Sequence, residues 1–389
     1  MNKIKSIFYG AGMAALVLTA CTGAKDSQLT VSGLNPTAFD STVNGKKVQL
    51  YTLTNKNGME VCITNFGGRL VSISVPDKNG KPTDVVLGYD NLKQYTDSVN
   101  SPSDFGAAIG RYANRIANGR ITVDGKTIQL PRNNYGHCLH GGPSGWQYQV
   151  YDGQQPNDST VVLTMHSKDG DNNFPGNVTA TVTYTLTGSN AVDIKYEATT
   201  DKKTVINMTN HSYFNLNGDP SKPGTNMVLY INADNYTPAD STYMTTGEVK
   251  PVKGTPMDFT TPRAINTTIG DTTFNQIKFA HGYDQNWCLN TYKNGKGDDT
   301  KVAASLYSPV TGILLELYTN EPGVQVYTGN FLGNGVKGKR GIAYPQHASV
   351  CLESQKFPDS PNKKQFVSPW LNPGEKYYSH QVFKFSVKK

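Results

Sequence analysis

KKVQLYTLTNKNGMEVCITNFGGRLVSISVPDKNGK, residues 46–81, sets apolar and polar side chains in alternation through three short runs, 46–55, 59–66 and 70–81. A period of two is the signature of a strand with one face buried and one face wet. Asn57-Gly58 separates the first run from the second, and Asn79-Gly80 sits in the third. Asn-Gly supplies the two positive-φ positions of a tight hairpin turn, so the stretch reads as antiparallel strands rather than as a helix. Working outward, GRITVDGKTIQL (119–130) is a second hairpin around Asp124-Gly125. Further strand candidates are STVVLTMHS (159–167), NVTATVTYTLTG (177–188), AVDIKYEATT (191–200), NMVLYINAD (226–234), ILLELYTN (313–320), VQVYTGN (324–330) and HQVFKFSV (380–387). DNLKQYTDS (90–98) suggests one short helix, and a second is expected near 107–117. The expected fold class is all-β, an antiparallel β-sandwich with long functional loops.

Composition agrees. The 389 residues include 38 Gly, 21 Pro and 22 Tyr, and charged residues are 17%, below the roughly 25% usual in soluble domains. Large β architectures run well beyond 200 residues as one unit, so residues 38–389 are read as a single domain. Residues 1–20 read as a signal peptide, with Lys3 and Lys5 before a short apolar run. That run ends Leu18-Thr19-Ala20-Cys21, which resembles the lipobox of bacterial lipoproteins. The resemblance implies lipidation of Cys21 and a lipid-anchored protein of the bacterial cell envelope, and Thr22 after the Cys suggests the outer membrane. Residues 21–37 are small and polar and read as a flexible tether. Loss of Lys3 and Lys5 lowers the formal charge of +7 by two, to +5. The remaining basic residues are scattered except for Lys337-Gly338-Lys339-Arg340, which leaves little support for nucleic-acid binding. Cys62, Cys138, Cys288 and Cys351 show no C-x-x-C spacing; an envelope compartment permits disulfides, but such separated cysteines read better as buried thiols.

Several motifs fail on inspection. GNGVKGKR (333–340) nearly spells a nucleotide-binding P-loop, but Arg340 stands where a Mg²⁺-binding Ser or Thr belongs and no helix pattern follows. DGDNNFPGN has Asp169, Asp171 and Asn173 at Ca²⁺-loop offsets, but Phe174 replaces the turn Gly and Ala180 the bidentate Glu. His137 and His140 flank Cys138 with no second ligand cluster to complete a metal site.

The segments that remain carry polar groups out of place in a core. TNHSYFNL (209–216) crowds His211 between two Asn residues and two aromatics, which looks like the lining of a small polar pocket. GRYANRIANGR carries Arg111 and Arg115, and GHCLHGGPSGW carries His140 with Trp146 behind it. AHGYDQNW carries Asp284 beside Tyr283 and Trp287. In SVCLESQKFPD, Glu353 shares a strand face with Cys351, opposite Val350 and Leu352. A carboxylate placed there is expected to be partly buried, with a raised pKa. An imidazole and a carboxylate, without a metal cluster or nucleotide loop, suit general acid and base work. Asn, Arg, Asp and Gln suit a substrate rich in hydroxyls, with Trp and Tyr offering flat faces, and a sugar is the natural candidate.

These segments, together with DVVLGYDNLKQY, VQVYTGNF and their order along the chain, resemble the galactose mutarotase (aldose 1-epimerase) family from about Gln49 to the end. The resemblance implies a β-supersandwich and interconversion of the α and β anomers of aldohexoses such as galactose and glucose, with no cofactor and no nucleotide. It implies His211 as general acid and Glu353 as general base, with Asn114, Arg115, His140, Asp284 and Gln325 binding the monosaccharide. His137 and Cys138, just before the His140 motif, stand where varied residues are expected, and their effect on sugar choice stays open. The alternative is a carbohydrate-binding lipoprotein without catalysis, for which the acid–base pair would be superfluous.

Overall fold

The alternation read from the sequence becomes three large antiparallel sheets that share one core, with six two-stranded pairs beside them among the described residues. The computed structural model describes residues 28–97, 103–333, 335 and 337–388. The signal segment 1–20, Cys21 and the first part of the expected tether lie outside the described residues.

The largest sheet has nine strands, in the order Asp152–Asn157, Thr160–Ser167, Val178–Leu186, Ala191–Thr200, Tyr377–Val387, Ile313–Thr319, Ala304–Tyr307, Val228–Ile231 and Arg263–Ala264. Along Val178–Leu186 the buried positions are Val178, Ala180, Val182, Tyr184 and Leu186, one face of the pleat. A second sheet of six strands runs Tyr213–Phe214, Val350–Gln355, Gly323–Tyr327, Asp284–Cys288, Asn235–Thr237 and Lys250–Pro251. The opening stretch builds the third, Leu50–Thr54, Glu60–Thr64, Arg69–Pro76 and Pro82–Asp84. Val182, Ile194 and Phe383 of the first sheet meet Val326, Leu352 and Trp287 of the second and Val61 and Ile73 of the third in one apolar cluster. Removing that apolar area from water is the main driving force for the sandwich.

The second sheet is buried on both faces along its strands Gly323–Tyr327 and Val350–Gln355, save Tyr327 at the cavity. All six residues of Val350–Gln355 are buried. Val350 and Leu352 join the main core, whereas Cys351 packs on the far side with Phe105, Tyr213 and Tyr344. The face assignment made from period two therefore holds, and Glu353 projects away from the core.

Only two α-helices occur among the described residues, Leu92–Thr96 and Asn275–Ala280. The first is the expected one, capped by Asn91, whose side chain accepts from the backbone N–H of Gln94 at 3.0 Å. The helix expected near 107–117 is absent. Ala107–Ile109 is a strand paired with Thr209–His211, and Arg115–Ile116 pairs with Cys138–Leu139. A short, small-residue apolar run buried all round carries no period, so it cannot be told from a helix by pattern. The expected tether is also shorter than read. The Val31 N–H donates to Glu60 Oε1 at 2.8 Å, Ser32 bonds Ser72 at 2.9 Å, and Leu34 is buried. Lys339, in the rejected P-loop run, is buried and bonds Asp84 at 2.5 Å and the Val71 carbonyl at 2.7 Å, a structural use of the cation.

Gly106 joins the sheets to the site. Its N–H donates to the His211 carbonyl at 3.0 Å, its φ is +68°, and a Cβ there would stand 2.0 Å from the Leu70 carbonyl oxygen. Left-handed strain and overpacking against backbone add in Gly106→Ala, which should cost at least about 2 kcal/mol. A thermal scan should show a clearly lowered Tm; an unchanged Tm would mean that this strand junction tolerates displacement.

Candidate active site

Strand register brings the chemistry together. Directly opposed residues in an antiparallel pair point to the same side. Asp284 opposes Tyr327, Tyr327 opposes Cys351, and Cys351 opposes Tyr213. One row further on, Asn286 opposes Gln325 and Gln325 opposes Glu353. From these rows Asp284, Tyr327, Tyr213 and Glu353 line the floor of a cavity of about 270 Å³ whose walls include Asp104, Asn114, Arg115, Asn134, Tyr135, His140, His211 and Phe331.

The segment 209–216 supplies His211 and Tyr213 to that cavity, with the two rings stacked at 5.0 Å. The flanking asparagines do not line it. Asn210 donates to the Gly106 carbonyl at 2.9 Å and accepts from the Ser212 N–H at 3.1 Å. Asn215 donates to the Ala348 carbonyl at 2.7 Å and accepts from the Asn217 N–H at 3.0 Å. Both amides satisfy irregular backbone where the chain passes from one sheet to another, because a buried peptide group without a partner is costly. Phe214 is in the core.

His140 and Asn114 clasp each other. The Asn114 N–H donates to His140 Nδ1 at 3.1 Å, and the His140 N–H donates to the Asn114 carbonyl at 3.0 Å. A donor into Nδ1 leaves the ring hydrogen on Nε2, so His140 offers an N–H. Burial pushes its pKa down to about 3, which keeps the ring neutral. The Asn114 side chain accepts from the Arg115 N–H at 2.8 Å. The Arg115 guanidinium donates twice to Asn134, at 3.0 and 3.2 Å, and lies over the Tyr243 ring at 5.0 Å. Gln325 does not form the wall; it donates to Asp284 Oδ1 at 2.7 Å and so aims that carboxylate.

Glu353 and His211 face each other, Oε1 to Nε2, at 3.5 Å, with both side chains buried. Burial raises the Glu353 carboxyl well above its ordinary range, reinforced by Asp284 and Asp104 and opposed by Arg115. Burial lowers the His211 pKa, partly offset by Asp104. Glu353 Oε2 has no hydrogen-bond partner among the described residues. A carboxyl moved up and an imidazole moved down toward it form an acid–base pair poised for proton transfer.

Other sequence candidates fall away from the cavity. Arg111 is buried and bonds the Pro175 carbonyl at 2.7 Å and Ser167 at 2.6 Å. His137 turns away, accepting from the Asn118 N–H at 3.1 Å and pairing with Thr242 at 2.9 Å, and Cys138 is in a separate apolar cluster. Trp146, Tyr283 and Trp287 are fully buried in the core, so the flat faces come from Tyr135, Tyr213, Tyr327 and Phe331 instead. Asp104 was not foreseen. It accepts from the Tyr148 hydroxyl at 3.0 Å beside both histidines, and its Ser/Pro-rich surroundings carry no periodic signal. Cys62, Cys138, Cys288 and Cys351 are all free thiols. A larger hollow of about 780 Å³ beside 290–301 is lined by Asn, Asp, Thr, Lys and Gly only, with no imidazole or aromatic ring to do this chemistry.

Comparisons with known proteins bear on the family of the whole chain. A profile of the aldose 1-epimerase family matches residues 49–384. Galactose mutarotase of Mus musculus is 40% identical over 329 residues, 85% of this chain and 92% of that one. Aldose 1-epimerase of Escherichia coli (strain K12) is 39% identical over 345 residues, 88% and 96% of the two chains. The crystal structure of an aldose epimerase homologue from C. elegans superposes with a TM-score of 0.79 at 29% identity, over 88% of this chain and 100% of that one. Galactose 1-epimerase from Lactobacillus acidophilus gives 0.76 at 28% identity, over 90% and 97%.

The His140 clasp has a measurable consequence. With a pKa of about 3, His140 should hold one neutral tautomer, protonated on Nε2, from alkaline pH down to about pH 4. Nitrogen chemical shifts of labelled histidine should show it; a ring that titrates near pH 6.5 would refute the assignment.

Proposed function

The chain belongs to the aldose 1-epimerase family and interconverts the α and β anomers of a sugar; we propose that it does so on aldohexoses such as galactose and glucose, with Glu353 as general base and His211 as general acid. The observation that carries this reading is the buried Glu353–His211 pair, 3.5 Å apart on the cavity floor. Glu353 takes the proton of the anomeric hydroxyl as that oxygen forms a carbonyl with C1. The C1–O5 bond breaks, and His211 gives its proton to O5. Rotation about C1–C2 turns the other carbonyl face to O5. On reclosure the O5 proton returns to His211 and Glu353 returns its proton to the carbonyl oxygen, so atoms and charge balance. Nothing is oxidised and no group is transferred, so the chemistry calls for no cofactor.

In this reading the neutral His140 donates its Nε2–H to the ring oxygen or a neighbouring hydroxyl, and Asn114, Arg115 and Asp284 hold the remaining hydroxyls. Gln325 acts through Asp284. Asp104, Asp284 and Glu353 face one guanidinium, that of Arg115, in the cavity, and such a field opposes a phosphorylated sugar. A lipid anchor on Cys21, with a place in the bacterial cell envelope at the outer membrane, is supported by the Leu-Thr-Ala-Cys sequence after the apolar run.

Glu353→Gln keeps shape and removes basicity, so polarimetric anomer exchange should fall by at least about 10²-fold. The base works deprotonated and the acid protonated, so the rate should be bell-shaped in pH. The raised Glu353 pKa moves the acidic limb up and the lowered His211 pKa moves the alkaline limb down, which makes the bell narrow; the two limbs belong to the coupled pair. His211→Asn should flatten the alkaline limb and His140→Asn should retain it. The opposite pattern would exchange the two roles.

For the anchor, Cys21→Ser should leave the protein unprocessed or release it from membranes. Retention at mature size in the membrane fraction would refute lipidation.

A further inference from the structure

Cys351 lies on the same strand face as Glu353, fully buried, and the proton transfers make no use of it. Its Sγ, a ring nitrogen of His211 and a carboxylate oxygen of Glu353 all lie within 4.8 Å of one another. Glu353 Oε2 and His211 Nδ1 are buried without a hydrogen-bond partner among the described residues. The geometry points to a binding site for a soft divalent cation, Zn²⁺ or Cd²⁺, formed by Cys351, His211 and Glu353, whose filling shuts the enzyme off. The binding stands on the three side chains alone; the shut-off rests on the acid–base reading of His211 and Glu353.

Thiolate, imidazole and carboxylate are the ligand types of zinc, and three protein ligands with a fourth position open to a cavity is a common zinc arrangement. Zinc bond lengths place tetrahedral ligand atoms about 3.4–3.6 Å apart. His211 Nε2 and Glu353 Oε1 already stand at 3.5 Å, longer than the roughly 2.7–2.9 Å of a charge-assisted hydrogen bond. The thiol, within 4.8 Å of both, then has to close in by no more than about 1 Å, within reach of a side-chain adjustment. His211 Nδ1 is free to carry the ring hydrogen, which leaves Nε2 its lone pair.

A second cluster competes for the ion. Asp104, His140 and His211 also lie within 4.8 Å of one another. There, Nδ1 of His140 already accepts the Asn114 N–H at 3.1 Å. Ligation through Nε2 would force the ring hydrogen onto Nδ1, against that donor, so the Cys351 cluster is favoured. Charge points the same way. The dication exchanges with the thiol proton, M²⁺ plus Cys–SH giving M–S–Cys and H⁺, and with the Glu353 carboxylate the cluster is neutral. A neutral cluster suits a dry site where an unpaired charge is costly. Release of a proton makes binding tighten as pH rises.

The test titrates the full chain with Cd²⁺ and Zn²⁺ and reads two signals. Cd²⁺ should produce a thiolate-to-metal charge-transfer band, and both ions should abolish anomer exchange, with chelator restoring it and sugar competing. Cys351→Ala and Cys351→Ser should keep exchange, lose the band and shift half-inhibition to at least about tenfold higher metal. Cys138→Ser, at a buried thiol outside the cavity, should behave as wild type. Equal inhibition in wild type and both Cys351 variants, or a band that survives in Cys351→Ala, overturns the site, as does a wild type with neither band nor inhibition. A band in a protein that turns over no sugar upholds the site and overturns the functional reading instead.

Discussion

Everything at the site depends on the register of the strands Asp284–Cys288, Gly323–Tyr327 and Val350–Gln355. A slip of one residue would send Glu353, Gln325 and Asp284 into the core and bring Leu352, Val326 and Gln285 to the cavity. Two apolar sets hold the register. Trp287, Val324, Val326, Val350 and Leu352 lock one face into the common core. Phe105, Tyr213, Tyr344 and Cys351 pack the other beside the cavity. Placement of the candidate site is thus a by-product of core packing. The polar residues sit where the alternation leaves them, and hydrophobic burial supplies the energy that fixes them.

That dependence explains the electrostatics. A carboxyl on the surface would titrate in the ordinary range and would be a weak base. The same sheets that fix Glu353 also exclude water from it, and burial is the first cause of its raised pKa. His211 is shifted the other way, since burial works against its cationic form. Asp104, outside the three strands, offsets part of that loss. The pair is held close enough to couple, and both groups face the cavity.

The strands were legible because alternation and Asn-Gly turns are local signals, and residues 46–81 carried them almost without exception. Glu353 was legible for the same reason, as one polar residue on a face whose neighbours could be counted. What escaped had no period. Residues 107–109 are small, apolar and buried, and the mixed polar run that follows them has no strict alternation, so helix and strand look alike there. Val31, Ser32 and Leu34 dock part of the supposed tether from within a polar stretch. Asn210 and Asn215 looked like pocket residues because their type fits both uses, and only the carbonyls they reach decide between them. Trp146 and Trp287 misled in the opposite sense, since an indole beside a polar residue can as readily turn inward. Asp104 belongs to the site only through tertiary folding, and a single sequence gives no cue for that.

The resemblance to a mutarotase supplied roles that composition and spacing did not, and the geometry supplies physical reasons for them. The Asn114 donor into His140 Nδ1 separates two histidines that look equivalent in the sequence. One has its tautomer fixed and its charge suppressed, which suits a donor to the substrate. The other keeps Nδ1 unclaimed and turns Nε2 to a carboxyl, which suits a group that gains and loses a proton. The same freedom, with Glu353 unpaired at Oε2 and a thiol behind it, is what a metal ion would exploit. A site built to move protons in a dry cavity must leave lone pairs unclaimed, and unclaimed lone pairs of three kinds in one place are a ligand set.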